Sequence, residues 1–187
     1  ACLTHNHIPE PMLISTIIPI PKDPLSNLKL SNNYRGIALC MLFMKLFEYV
    51  ILDKHGTSFN TSDLQFAYKK HLSTTQCTWV AKETISYYIN NGSNVYGCLL
   101  DCSKAFDKIC YSKLFPKFFE NDLSPVITRL LYRQYTMSKN RVRWRSAESE
   151  LFSVSNGVKQ GSVLSPFLFN VYMKCMVDDL VKQGLGC

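Results

Sequence analysis

The run Val95-Tyr96-Gly97-Cys98-Leu99-Leu100 is apolar at every position but Gly97, and it stops abruptly at Asp101. A cluster of turn formers, Asn91-Gly92-Ser93-Asn94, precedes it. A short apolar run with β-branched and aromatic members between such boundaries predicts a buried strand. Its last side chain then stands at the edge of the core, and that side chain is Asp101. A carboxylate placed there loses hydration and needs a compensating charge, for which a divalent metal ion is the strongest candidate. A second reading fits the same spacing, with Asp101 capping a helix whose first turn is Ser103 to Phe106. Both stand at this point.

The rest of the chain has material for one core. Its 187 residues are 47% apolar, enough for one compact domain or a lobe of a larger one. There is no internal repeat, low-complexity tract or linker. With 21 Lys and Arg against 14 acids, the net charge of +7 favours polyanionic partners, either nucleic acid or an anionic membrane surface. The sequence begins at Ala1 without an initiator Met and stops at Cys187 after a glycine-rich turn, so it reads as a fragment. No basic-then-apolar leader opens it. The longest apolar run, Ile37 to Leu52, is broken by Lys45 and Glu48 and is too short to span a bilayer. The pattern over Gly36 to Asp53 predicts a core helix. The eight cysteines include no Cys-x-x-Cys pair and have no matching histidine spacing. Cys40 and Cys98 sit inside apolar runs, so these residues read as reduced, buried thiols of an intracellular protein.

Taken in order, LISTIIPI over 13–20 predicts a strand ending at Pro21, followed by a loop from Lys22 to Asn33. Lys22 and Arg35 flank that loop, where they are either a phosphate clamp or solvated surface charges. Gln65 to Leu72 reads as a polar connector. Ser73-Thr74-Thr75-Gln76 fits a capping box opening a helix that Gly92 stops. Helices follow over Tyr111 to Asn121, with Pro116 inside, and Ser124 to Ser138. Arg141 to Arg145 alternates strictly, turns at Ser146 to Glu150 and returns at Leu151 to Val154. The alternation puts Arg141, Arg143 and Arg145 on one face, which either tracks a phosphate backbone or is the solvated side of an edge strand. Gly157 and Gly161 bracket Lys159-Gln160 in a loop where backbone can approach a ligand. Ser165-Pro166 then starts a helix, as N-cap and N1, whose stripe is Phe169, Tyr172, Met173, Met176 and Leu180.

Three of these runs, in this order, carry a resemblance. Tyr34-Arg35-Gly36-Ile37-Ala38-Leu39, Leu100-Asp101-Cys102-Ser103-Lys104-Ala105-Phe106-Asp107, and Asn156-Gly157-Val158-Lys159-Gln160-Gly161-Ser162-Val163-Leu164-Ser165-Pro166 resemble the reverse transcriptase domain of non-LTR (LINE-type) retrotransposons. Gln65-Phe66-Ala67-Tyr68 and Ser73 to Gln76 look like its connecting motif, so the likeness runs from about Met12 to Cys187. The resemblance implies an α+β fold, the fingers (about 1–94) and incomplete palm (about 95–187) of a right-hand polymerase. It implies an RNA-directed DNA polymerase that adds dNTPs to a primer 3′ hydroxyl by two-metal phosphoryl transfer. Asp101 matches the first catalytic, metal-binding aspartate, with two Mg2+ ions in the complete enzyme. Lys22 and Arg35 match cations on the incoming triphosphate, and Phe106 matches the steric gate against a ribose 2′ hydroxyl. Gln160 and Gly161 match the loop packed on nucleotide and template, while Arg141, Arg143, Arg145 and Lys159 are the candidate nucleic-acid contacts. Asp107 belongs to the motif as a structural residue. The partners implied are an RNA template, a DNA primer or target, and dNTPs, acting in the nucleus and without a membrane.

One departure matters. The family's second acidic motif, Tyr-x-Asp-Asp on a hairpin, has no match. Asp178-Asp179 lies on the helix begun at Ser165, off its expected stripe, and Gly-x-Gly-Cys at 184–187 resembles the run that precedes the hairpin. The fragment alone is therefore expected to be inactive. The alternative is a decayed or domesticated nucleic-acid-binding module without catalysis.

Overall fold

The structure, a computed structural model, describes residues 2–59 and 61–184. Two short helical turns, α1 (Cys2–His5) and α2 (Glu10–Leu13), lead into β1 (Ile14–Pro21). The expected first strand is thus present, and its two prolines have a positional reason. β1 pairs in parallel with β3 (Lys139–Trp144) only from Ile14 to Ile17, while antiparallel pairing with β2 (Tyr34–Cys40) runs on to Pro21. Pro19 and Pro21 therefore stand where one edge of β1 is unpaired, the position in a sheet that tolerates a missing N–H.

β2 corrects the helix expected over Gly36 to Asp53. The first part of that run is strand, and only Leu42–His55 is helix, α3. An apolar run carries no mark of where one period ends and the next begins, and the register Ser15↔Cys40 to Pro21↔Tyr34 claims its first half. The connector 65–72 is turns, and α4 (Thr74–Asn90) opens with the expected capping box: Ser73 Oγ accepts from Gln76 N at 3.3 Å, and Gln76 Oε1 from Ser73 N at 2.8 Å. α5 (Tyr111–Glu120) and α6 (Pro125–Thr136) lie where the periodicity put them.

The strand expected at Val95 to Leu100 does not form. No strand pairs with it among the described residues, and its side chains are exposed, Leu99 fully. An apolar run becomes strand only when a neighbour takes its backbone groups.

The hairpin is tighter than expected. β3 turns at Arg145-Ser146, an unforeseen β4 (Ala147–Glu148) pairs with it, and β5 (Phe152–Ser153) completes the return. Between them Ser149 substitutes side chain for backbone, its Oγ accepting from Val142 N at 2.9 Å. The sheet is mixed, in the order β2-β1-β3-β4 with β5 also on β3.

The core lies on the helices. Tyr111, Leu114, Phe115 and Phe118 form one stripe of α5 and meet Ile127, Leu131 and Tyr135 of α6, Ile51 of α3 and Leu168 and Val171 of α7 (Ser165–Lys182). Each such side chain contributes about 1.5–3 kcal/mol by burial. The stripe expected on α7 needs correction, because Met176 and Leu180 are exposed and the buried positions are Ser165, Leu168, Asn170 and Val171. Only the first half of α7 lies on the core. Its N-cap is Leu164, one residue before the expected Ser165. The thiols also differ from expectation: Cys98, with Cys77, Cys102 and Cys175, is exposed, and Cys2, Cys40 and Cys110 are half-buried. Cys187 and the end of the Gly-x-Gly-Cys run lie outside the described residues. None of the described helices is long and apolar enough to cross a membrane.

Candidate functional site

Antiparallel register brings the first two cations together. Arg35 stands opposite Ile20, and Lys22 follows Ile20 by two residues, which returns it to the same face. The loop between them is closed at its base by Lys22 N donating to Asn33 O at 2.8 Å. Within it Tyr34 Oη donates to Leu28 O at 2.9 Å, and the Tyr34 ring meets Trp144 edge-on at 5.3 Å.

The loop of residues 156–164 forms a second wall, and its two glycines are forced by backbone rather than by ligand. Gly161 has φ +118°, and a Cβ there would lie 2.6 Å from Ala38 O. That closeness lets Ala38 N donate to Gln160 O at 2.6 Å, fastening the loop to β2. Gly157, at φ +87°, packs on Asp107, whose Cα and O would each lie 2.9 Å from an added Cβ. Val158 N donates to Phe106 O at 2.8 Å and Tyr111 Oη to Gly157 O at 2.7 Å. Asp107 thus takes part through its backbone, and no side-chain cap or hydrogen bond of the kind expected of it is formed among the described residues. The sequence places this loop where backbone can approach a ligand; the close approaches found are to β2 and the turn at Phe106.

That turn, a 3-10 turn over Ala105–Lys108, forms the third wall. Phe106 is half-buried between Tyr68 (centroids 6.5 Å apart) and Phe169 (5.3 Å). Tyr68 belongs to the connector, which Gln65 Nε2 (to Asn170 O, 2.9 Å) and Asn170 Nδ2 (to Ala67 O, 2.6 Å) tie to α7. All three walls enclose one open pocket of about 450 Å³, lined by Lys22, Tyr34, Arg35, Gly36, Ile37, Tyr68, Lys104, Ala105, Phe106, Asp107, Gln160 and Gly161. The structure therefore brings together the five residues matched to the nucleotide, Lys22, Arg35, Phe106, Gln160 and Gly161.

Asp101 stands apart, exposed in a neighbouring pocket lined by Cys102, Ser103, Ala105, Lys108, Phe169, Tyr172 and Met173. It caps no helix: the 3-10 turn begins after Lys104 without a side-chain cap. Among the described residues no three of His, Cys, Asp and Glu gather in one place. Asp178 is paired with Lys174 at 2.5 Å and Asp179 with Lys182 at 3.8 Å, both within α7. One hard carboxylate does not hold two ions about 4 Å apart, so the described residues do not by themselves fit a two-metal site.

The remaining candidates separate. Arg141 pairs with Glu148 at 2.8 Å and donates to Thr16 Oγ1 at 3.3 Å. Arg143 is exposed on β3, and Arg145 lies beyond the strand in a left-handed turn, φ +56°. The three arginines therefore do not form one strand face. Lys159 points inward, its Nζ donating to Ser15 Oγ at 2.8 Å beside Cys40. Burial pushes its ammonium below the usual lysine range, against the pull of the Cys40 thiol and the Glu48 carboxylate.

The residue that sequence reasoning missed is Glu48, 1% exposed. Its carboxylate accepts from Gln134 Nε2 (2.5 Å), Ser162 Oγ (2.8 Å to both oxygens), Val163 N (2.7 Å) and Leu164 N (3.3 Å). An acid from α3 thereby anchors the end of the 156–164 loop at the N-terminus of α7, where a negative charge is favoured. A signal existed: Glu48 shares a helical stripe with the buried Met44 and Ile51.

With this geometry in place, comparison with known proteins is direct. The family "Reverse transcriptase (RNA-dependent DNA polymerase)" matches residues 20–185. The Retrovirus-related Pol polyprotein from type-1 retrotransposable element R2 of Popillia japonica is 23% identical over 98% of this chain and 26% of its own length. Its namesake from Nasonia vitripennis is 22% identical over 96% of the chain and 17% of its own length. The RNA-directed DNA polymerase from mobile element jockey of Drosophila funebris is 25% identical over 97% and 20%. The chain spans about a quarter or less of these relatives. It belongs to the reverse transcriptase family, as a partial domain of the non-LTR retrotransposon type that its motifs resemble.

Proposed function

We propose that residues 1–94 are the fingers and 95–187 part of the palm of a polymerase, and that the three-walled pocket takes the incoming deoxynucleoside triphosphate. One observation carries this reading: five residues from four separate segments, each matching a nucleotide-contacting position, line a single pocket. Arg35 suits a bidentate grip on phosphate and Lys22 a point charge beside it. Phe106, wedged between Tyr68 and Phe169, is rigid enough to exclude a ribose 2′ hydroxyl. Gln160 and Gly161, fastened to β2, offer a fixed floor for the base and template. The reaction is in-line phosphoryl transfer to a primer 3′ hydroxyl, in which positioning and charge neutralisation dominate. RNA template, DNA primer and nuclear action belong to the whole protein in this reading. Arg143 and Arg145 are the candidate nucleic-acid contacts with no internal partner among the described residues, since Arg141 and Lys159 are engaged.

Asp101 alone does not complete the metal site, so the 187 residues by themselves do not polymerise. The reading is tested by displacing a fluorescent dNTP from the chain with unlabelled competitors. A deoxynucleotide is expected to displace it at lower concentration than the matching ribonucleotide, and Phe106→Ala to erase that preference. Equal displacement by both sugars in the wild type would overturn it. Incorporation on a primed template with Mg2+, above an Asp101→Ala control, would contradict the predicted inactivity.

A further inference from the structure

Lys104 lines the same pocket, and no motif match gives it a role. Its backbone is left-handed, φ +54° and ψ +43°, a conformation that a residue with a Cβ adopts only against strain. Strain of that kind persists where the surrounding structure imposes it, and it concentrates at binding sites. The conformation sends the side chain to a distant wall, where Nζ donates to Asn32 Oδ1 at 3.1 Å, 72 residues away in sequence. One side chain thus spans the pocket mouth from the Phe106 wall to the loop between Lys22 and Arg35. Its partner is a neutral amide, so the charge stays uncompensated. Among the described residues no ion pair holds Lys22, Arg35 or Lys104, and Asp107 is the one carboxylate lining the pocket. Three cations against one acid produce a positive potential that an incoming polyanion relieves.

We propose that Lys104 is a third phosphate-contacting residue, rooted in the Phe106 wall with its ammonium held at the pocket mouth on the loop between Lys22 and Arg35. Asn32 sets the position of the ammonium, and a charged phosphate oxygen is the stronger acceptor for it. The inference rests on the nucleotide-pocket reading above. It adds a third positive charge at the pocket mouth beyond Lys22 and Arg35, so polyphosphate length, and not the base, is what Lys104 senses.

Glycine at 104 separates the charge from the backbone. Lys104→Gly removes the cation and also the left-handed strain, so the variant is expected to unfold at the wild-type urea concentration or higher. Calorimetric titration with inorganic tripolyphosphate at low salt should show binding about tenfold weaker than wild type, with orthophosphate affected much less. Lys113→Ala, which removes an exposed α5 charge away from the pocket, should bind as wild type does. Wild-type affinity in Lys104→Gly, or equal losses in Lys113→Ala, would overturn the role of Lys104 and leave the pocket reading intact. Failure of the wild-type chain to bind a deoxynucleoside triphosphate at all would overturn the pocket reading, and this inference with it.

Discussion

Replacing Glu48 tests how the loop beneath the pocket is held. Four donors end on its carboxylate: the Gln134 amide, the Ser162 hydroxyl and the backbone N–H groups of Val163 and Leu164. Glu48→Ala leaves all four without an acceptor in an interior where Gln134 and Ser162 are themselves buried. At about 1 kcal/mol for each donor left unmade, the loss is about 4 kcal/mol, within the range for breaking a buried charged network. Glu48→Gln should behave differently. Gln134 Oε1 has no partner, so a flip of that amide offers an acceptor to the new NH2, while the remaining carbonyl oxygen keeps the α7 donors. What is lost is the charge at a helix N-terminus, about 1 kcal/mol. Urea unfolding followed by circular dichroism at low temperature measures both. An alanine variant within about 1 kcal/mol of wild type, or a glutamine variant as damaging as alanine, would refute the reasoning.

Other expectations follow from the same contacts. Gly161→Ala places a methyl 2.6 Å from Ala38 O at φ +118° and should cost about 3 kcal/mol by urea midpoint, together with weakened nucleotide binding. Burial raises the Tyr111 phenol to about 12, so the folded state holds its proton after the unfolded chain has lost it. That stability is present below about pH 10 and lost as pH rises towards 12, and Tyr111→Phe should flatten the alkaline fall in unfolding free energy. Lys159 works in the opposite sense: its lowered pKa makes burial of the ammonium a cost at neutral pH, relieved as pH climbs towards the unfolded lysine value. Burial raises the Cys40 thiol, so alkylation followed by peptide mapping should modify Cys77, Cys98, Cys102 and Cys175 well before Cys40.

Elements with local signals were legible. β1, the Ser73 box and the α5 helix are each written within a few residues, and each is present. What depends on a distant partner was not. Val95 to Leu100 reads as strand by composition, yet a strand is a property of two segments, and the described residues offer it no second one. The run from Ile37 to Leu52 is uniformly apolar, so nothing inside it separates β2 from α3; the division is made by β1, twenty residues earlier. In the site, the motif resemblance found residues that meet in one pocket; the close approaches at Gly157 and Gly161, read as made to a ligand, are made to the backbone of Asp107 and Ala38. Lys104 and Glu48 stayed hidden because their partners, Asn32 and Ser162, lie 72 and 114 residues away.

The most direct measurement is a backbone amide NMR titration of the chain with one deoxynucleoside triphosphate. The account predicts saturable shifts at Arg35, Gly36, Ala105, Phe106, Gln160 and Gly161, the pocket walls, while the β3–β4 turn at Arg145 stays still. Shifts gathered at Arg141 to Arg145 with the pocket silent, or no saturable shift anywhere, would contradict it.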